Sequence, residues 1–256
     1  MYVCELTGFP VTTPPRIETY QTLDSTNAEA RRRGEAGEVG PVWITAFEQT
    51  AGRGRRGRAW STGRGNLAAT LLMVSDRPAA EAAQLSFVAA LAAHDLADAC
   101  LGAGVARLKW PNDVLVHGRK AVGILVESGA RSQGGLWLAV GIGVNLAHSP
   151  SDTERPATAF ADHMPSPAPE PRAALEVLAN AFERWRGAWE QSGFAPIAAS
   201  WTTRAHGIGE PCIARLPNRE IEGVAEGLDA DGALRLRRDD GVIERITAGD
   251  VFFGEA

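Results

Sequence analysis

Lysine is almost missing from this sequence: of 26 basic residues only Lys109 and Lys120 are lysine, and the other 24 are arginine. A chain that uses guanidinium elsewhere keeps a compact, tunable ammonium at two positions eleven apart. Unless rare residues have simply fallen together there, that stretch needs a charge arginine cannot supply. Cysteine is equally scarce. Cys4, Cys100 and Cys212 are odd in number and far apart, which excludes a disulfide framework and any cysteine metal spacing, so a reducing cytosol is the expected setting. The five histidines (His94, His117, His148, His163, His206) lack the i, i+4 pairing of a helical metal site and read as structural or surface residues. No apolar run approaches the roughly 18 residues of a membrane span, and the opening Met-Tyr-Val-Cys-Glu-Leu lacks the basic start and apolar stretch of a signal peptide. A cytoplasmic protein with no membrane association is expected. No internal repeat is present.

What is there fits an ordinary globular protein. The 256 residues, 45% hydrophobic and 22% charged, suffice for one sizeable core and a small second module. The net charge of -5 argues against a nucleic-acid partner, which makes one basic stretch conspicuous. From Gln49 to Trp60, Gly52, Gly54 and Gly57 alternate with Arg53, Arg55, Arg56 and Arg58. Glycine lets backbone amides approach and converge on an anion, and arginine adds a planar donor fork that matches carboxylate and phosphate. Such a run also occurs in solvated linkers and RNA-binding tails. Here apolar strands flank it closely, Val42 to Phe47 before and Leu67 to Val74 after, so it is embedded in a fold and suits a small anion.

Along the chain, Arg16 to Leu23 alternates as a first strand, and Asp24-Ser25-Thr26-Asn27 supplies N-cap residues for a short helix ending near Gly34. Alanine and leucine recur at helical spacing from Ala80 to Cys100. Lys109-Trp110-Pro111-Asn112-Asp113 precedes a β-hairpin, Val114 to Val116 and Arg119 to Glu127 about a His117-Gly118 turn. Trp137 to Leu146 reads as a buried strand whose Gly141 and Gly143 imply that something packs closely on its backbone, with Asn145 at its end. A Pro-, Ser- and Asp-rich loop follows from His148 to Pro171, with a short helical turn around Thr158 to Asp162, and helical spacing returns from Arg172 to Gln191. From Pro211 short alternating runs are separated by turn dipeptides, the pattern of a small all-β barrel added to the preceding α/β part.

These motifs together resemble biotin protein ligases. The likeness rests on Asp24 to Asn27, Glu48 to Trp60, Lys109 to Asp113, Lys120 to Glu127 and Gly141 to Asn145, in the family's order, with the basic loop and the Lys-Trp-Pro-Asn-Asp block the most specific. It implies an α+β fold: a mixed sheet with helices of the biotin/lipoate ligase kind over residues 1–205, and an SH3-like C-terminal barrel over 206–256. It implies that biotin's carboxylate attacks the α-phosphate of ATP, with Mg²⁺ on the phosphates. The resulting biotinyl-AMP then acylates one lysine of a biotin carboxyl carrier protein domain. Two anions must be brought together, which is the physical need for dense positive charge on a loop that excludes water.

Carried over by the resemblance, Ser25, Thr26, Asn27 and Gln49 surround the biotin ring, and Gly52, Arg53, Gly54 and Arg55 form the loop that clamps carboxylate and phosphate. Gly123 and Gly141 allow close backbone approach to biotin. Arg58, Trp60, Asn66, Lys109, Asn112 and Asn145 lie on the adenylate side. Lys120 is the charge nearest the reacting carboxyl oxygen, with Arg55 as second catalytic cation. No dedicated metal site is implied; Asp113 is the only metal-ligand candidate. The sequence departs from the family pattern between Trp60 and Asn66, where Arg64 is inserted in a shortened segment. Only 24 residues precede Ser25, too few for a helix-turn-helix with its supporting helices, so an enzyme without DNA-repressor function is expected. Two alternatives stay open: a lipoate ligase, and a non-catalytic binding module using the Arg-Gly loop. Without ligand the loop from Gly52 to Trp60 is expected to be open, since its arginines repel one another. The carrier domain is expected at an exposed sheet edge, which a homodimer would use equally well.

Overall fold

The computed structural model describes residues 16–151, 153 and 155–254. Cys4 and the opening residues, read above for pairing and targeting, lie outside that range.

The described residues open with a β-α-β unit. Strand β1 (Arg16–Leu23) and strand β2 (Val42–Gln49) pair in parallel, joined by helix α1 (Thr26–Glu35). Ser25 caps α1, its hydroxyl accepting from the Ala28 amide at 3.4 Å. The remaining strands of this sheet are antiparallel: β3 (Leu67–Ser75), β4 (Ala106–Lys109), β5 (Asp113–Val116), β6 (Arg119–Ala130) and β7 (Leu136–Val144). The seven strands lie in the order β1-β2-β3-β7-β6-β5-β4.

Period-2 alternation sorts the side chains onto two faces. Val42, Ile44, Leu72, Trp137 and Ala139 face Ala30 of α1 in a small cluster. Their neighbours Trp43, Leu71, Met73, Leu138 and Val140 face the main core, built with helix α3 (Leu85–Leu101) and helix α4 (Pro171–Ser192). A short α2 (Ala79–Ala82) precedes α3. The single helix expected from Ala80 to Cys100 is therefore broken at Ala83-Gln84, where amides tighten to i→i−3 bonds and the Gln84 side chain turns inward to accept from Trp189 Nε1 at 2.8 Å. Helix α5 (Ala195–Thr203) leads to the C-terminal part.

That part is a five-stranded antiparallel sheet of β8 (Pro211–Arg215), β9 (Glu220–Leu228), β10 (Leu234–Arg237), β11 (Ile243–Ile246) and β12 (Asp250–Phe253), ordered β11-β10-β9-β8-β12. The class is the expected all-β module, but among the described residues β11 and β12 do not pair, so the barrel is left open. β12 pairs with β8 and brings Asp250 to the basic loop and Phe252 to Lys109. Trp110 Nε1 donates to the Gly232 carbonyl at 3.1 Å, and the amides of Leu108 and His206 exchange bonds with the carbonyls of Arg204 and Leu108. The C-terminal sheet is thereby fixed beside the end of the first sheet where Lys109 and Asn112 lie. No helix among the described residues is long and apolar enough to cross a membrane.

Candidate active site

The parity that packs Trp137 and Ala139 on α1 continues along β7 to Gly141, under the first turn of the helix, and to Gly143 beyond it. There the sheet face is left uncovered, and a cavity of about 420 Å³ opens over it. Its contents change along the strand, at roughly 3.3 Å per residue.

At Gly141 the cavity is polar but uncharged. A Cβ at Gly141 would come within 1.9 Å of Asn27 Oδ1, so the absence of a side chain there is what seats the start of α1 on the sheet. The Asn27 amide donates to the Leu125 carbonyl (3.2 Å) and to Glu127 Oε2 (2.8 Å). The Thr70 hydroxyl lies within 2.7 Å of Asn27 Oδ1 and 2.8 Å of Thr26 Oγ1. Gln49 Oε1 accepts from the Thr26 amide at 2.8 Å, and Gln49 Nε2 donates to Thr62 Oγ1 at 3.0 Å. Asn27 is thus held on both its nitrogen and its oxygen. Ser25, whose oxygen accepts only a long bond from Ala28, keeps a hydroxyl proton to give.

At Gly143 the cavity becomes cationic. Trp60, at the end of the basic loop, rests on Gly143 and Gly123; a Cβ on either would lie 2.4 Å or 2.9 Å from the indole. The close approach expected at Gly123 and Gly141 is therefore made by the protein's own Trp60 and Asn27. Lys120 Nζ lies 2.6 Å from Asp113 Oδ1 and 5.6 Å from the Trp60 ring. Its approach to the carboxylate is that of an ion pair, because Asp113 Oδ1 has no aligned hydrogen bond. Asp113 is spoken for by this ammonium and, at 4.0 Å, by Arg155, which leaves it poorly placed to take a metal. Among the described residues no group of three potential metal ligands exists.

The loop itself, expected above to be open, folds into a small hairpin. Arg53 and Ala59 form an isolated bridge, Gly54 donates to the Arg58 carbonyl at 2.7 Å, and a 3-10 turn spans Arg55–Gly57. Arg56 takes φ of 56°, a left-handed conformation that costs a non-glycine residue energy unless its surroundings hold it. Arg55 Nη1 donates to Asn112 Oδ1 at 3.1 Å, and Asn112 is itself tied to β6 through Nδ2 to the Ile124 carbonyl at 2.7 Å. Burial, offset in part by Asp250, pulls the Arg55 guanidinium below its usual value, and it stays charged. Arg53 lines the cavity with no carboxylate partner among the described residues.

Of the residues singled out in the sequence, Ser25, Thr26, Asn27, Gln49, Arg53, Gly54, Arg55, Arg58, Trp60, Asn112, Asp113, Lys120, Gly123, Gly141 and Asn145 share this lining. Gly52, Asn66 and Lys109 stand outside it. Gly52 is pinned under the Trp60 carbonyl, 2.4 Å from where its Cβ would be. Asn66 spends its amide on the loop behind, donating to the His148 carbonyl and accepting from the amides of Ala147 and His148 at 2.8–3.0 Å. Lys109 lies beneath β12, 5.8 Å from the Phe252 ring, and burial, then Arg155, pulls its ammonium down to about 8.

Three contributors escaped the sequence reading. Thr70 looks like any strand threonine. Arg155 arrives because the residues that follow it, Pro156 to Thr158, lie along Lys120, whose amide donates to the Pro156 carbonyl and whose carbonyl accepts from Thr158. Asp250 comes from the C-terminal sheet, where Arg58, Arg56 and Arg155 surround it at 2.5, 3.1 and 3.7 Å.

Residues 20–145 match the profile of the biotin/lipoate A/B protein ligase family, and residues 207–254 match that of the biotin protein ligase C-terminal domain. The biotin--[acetyl-CoA-carboxylase] ligase of Paracoccus denitrificans is 48% identical over 236 residues, covering 90% of this chain and 98% of that protein. Among solved structures, the biotin protein ligase from Aquifex aeolicus in complex with biotin and ATP superposes with a TM-score of 0.79 at 23% identity, over 93% of this chain and 99% of that one. The Leishmania major biotin protein ligase in complex with biotinyl-5-AMP gives 0.63 at 27% identity, over 92% and 100%.

Proposed function

This chain belongs to the biotin protein ligase family, and from that premise we propose that it joins biotin to ATP as biotinyl-5′-AMP and passes the biotinyl group to a lysine of a carboxylase's biotin carrier domain. One observation carries the assignment of residues: along β7 the cavity passes from an uncharged hydrogen-bonding end at Gly141 to a cationic end at Gly143. Biotin has the same polarity order, a neutral ureido ring, an apolar chain and a carboxylate.

In the first step a carboxylate oxygen forms a bond to the α-phosphorus of ATP while the bond to the bridging oxygen breaks and pyrophosphate leaves. Arg53, Arg55 and Lys120 face the space where that charge accumulates, and Trp60 roofs the glycine floor and limits water. Preorganised charge of this kind stabilises a transition state because it needs no reorganisation as the reaction proceeds. In the second step the neutral amine of the carrier lysine attacks the acyl carbon, its proton is lost, and AMP leaves. Ser25 and Gln49 would orient the ureido ring; Asn112 and Asn145 would face the nucleotide. Mg²⁺ would enter on the phosphates of ATP, since Asp113 is engaged by Lys120.

The carrier docks, in this reading, along β1. Among the described residues that edge of the first sheet is unpaired, whereas the opposite edge strand, β4, bonds to Arg204 and His206. A homodimer would compete for the same edge. The division into a catalytic part, 1–205, and a C-terminal module, 206–256, belongs to the proposal. So do the absence of a DNA partner, favoured by the net charge of -5, and a cytoplasmic site of action, where Cys100 and Cys212 stay free thiols. The test is ATP–pyrophosphate exchange with biotin and with lipoate in parallel, followed by transfer to a carboxylase carrier domain. Exchange dependent on biotin is expected; exchange supported by lipoate alone would select the lipoate-ligase alternative.

A further inference from the structure

We propose that Asp250, carried by the C-terminal sheet, is a positioning residue that latches the basic loop over the cavity. Arg56 and Gly57 at the tip of the loop are exposed, and Arg56 takes a left-handed conformation. The base of the loop is fixed by Trp60 on the glycine floor and by Arg55 on Asn112. At its tip Asp250 Oδ2 accepts from Arg58 Nη2 at 2.5 Å and from Arg56 Nη1 at 3.1 Å, 192 and 194 residues away in sequence. Asp250 is itself held in place, since it opens β12 and its other oxygen lies 3.7 Å from Arg155, which stacks on Phe252 at 4.5 Å.

The electrostatics agree with the geometry. Burial alone would raise the Asp250 carboxyl, but Arg58, Arg155 and Arg56 hold it below its ordinary value, so it is ionised at neutral pH. Asp250 thus offsets the mutual repulsion that would splay Arg56 and Arg58. Arg53, Arg55 and Lys120, which Asp250 does not contact, line the same cavity. The C-terminal sheet accordingly contributes to the site by ordering the loop over it. Its consequence for catalysis rests on the adenylation proposed above, whereas the latch itself operates without any ligand.

Hydrogen–deuterium exchange of residues 53–60 in the full-length chain, without ligand, tests the latch directly. Asp250→Asn should speed exchange of those amides about three- to tenfold, the scale expected for losing two partly exposed charge-assisted contacts, while β3 and β7 exchange as in the parent. Release of preformed biotinyl-AMP should accelerate by a similar factor. Should Asp250→Asn not fold, the double variant Arg56→Gln/Arg58→Gln reads the same contact from the loop side. Adding Asp250→Asn to that double variant should change loop exchange no further. Parent-like loop exchange in Asp250→Asn, or full additivity in the combined variant, overturns the latch and leaves the proposed reaction untouched.

Discussion

The indole of Trp60 is seated on Gly143, where a Cβ would fall 2.4 Å from its Cε2 and Nε1. Gly143 and Gly123 are register partners on β7 and β6, so two bare residues side by side make one flat patch under one ring. Gly143→Ala should dislodge Trp60 and the loop behind it while sparing the main core, which lies on the other face of the sheet. We expect a folded protein with a near-parental melting temperature and adenylation reduced about 10²-fold, the usual cost of misplacing a catalytic element by an ångström. Parental exchange activity in Gly143→Ala would show that Trp60 needs no seat there.

The sequence carried this floor only in part. Alternation in Trp137 to Leu146 and the two glycines showed a buried strand with something close upon it, and the His117-Gly118 turn, with φ of 48° and 76°, closes the hairpin expected from its residues. What packs on the glycines was not legible, because Trp60 and Asn27 reach them across the sheet. Arg155 and Asp250 were invisible for the same reason. Arg155 sits in a segment whose composition reads as linker until Pro156 bonds to Lys120, and Asp250 enters through the packing of one sheet against another. β4 and β12, four residues each, are too short for periodicity to declare them, and α5 starts on Ala-Pro with barely two turns to follow.

Lys109 gives a pH signature. Its ammonium titrates near 8 in the fold, against an ordinary value of 10.5, because burial and then Arg155 disfavour the charged form. Below pH 8 the folded and unfolded chains both carry the proton and the fold bears the full penalty. Between about 8 and 10.5 the unfolded chain binds more protons, so this group makes stability rise with pH. Lys109→Met removes the effect. Urea midpoints measured from pH 7.5 to 10 should therefore rise in the parent relative to Lys109→Met, and parallel curves would contradict the buried ammonium.

Thr70 is buried completely and stands between Thr26 and Asn27. Thr70→Val keeps the shape and deletes the hydroxyl, leaving the buried Asn27 Oδ1 and Thr26 Oγ1 without that partner. The expected loss is about 1–2 kcal/mol of stability, the cost of leaving buried polar groups unpaired. Biotin should bind more weakly, because the start of α1 is no longer fixed against Gly141, while the affinity for ATP stays close to the parent. Calorimetric titration with each substrate checks this; equal weakening for both would place Thr70 outside the biotin end.

Lys120→Arg is the sharpest test of why this chain keeps lysine at all. The ammonium is confined on three sides: Asp113 Oδ1 at 2.6 Å, the Trp60 ring at 5.6 Å, and Gly123, where an added Cβ would lie 3.4 Å from Nζ. A guanidinium carries the same charge on a broader plane, so it must either push Trp60 off its glycine seat or stand away from the reacting carboxylate. Either outcome removes a compact charge from where negative charge builds in the transition state, a loss worth roughly 10² to 10³ in rate. Binding of biotin at the Gly141 end should change little, so the defect is expected in kcat more than in KM. The neighbouring exposed residue gives the control: Arg119→Lys should be nearly silent. If Lys120→Arg exchanged pyrophosphate within a few-fold of the parent, the ammonium would not be the critical cation, and Arg55, held over the same floor by Asn112, would take that place.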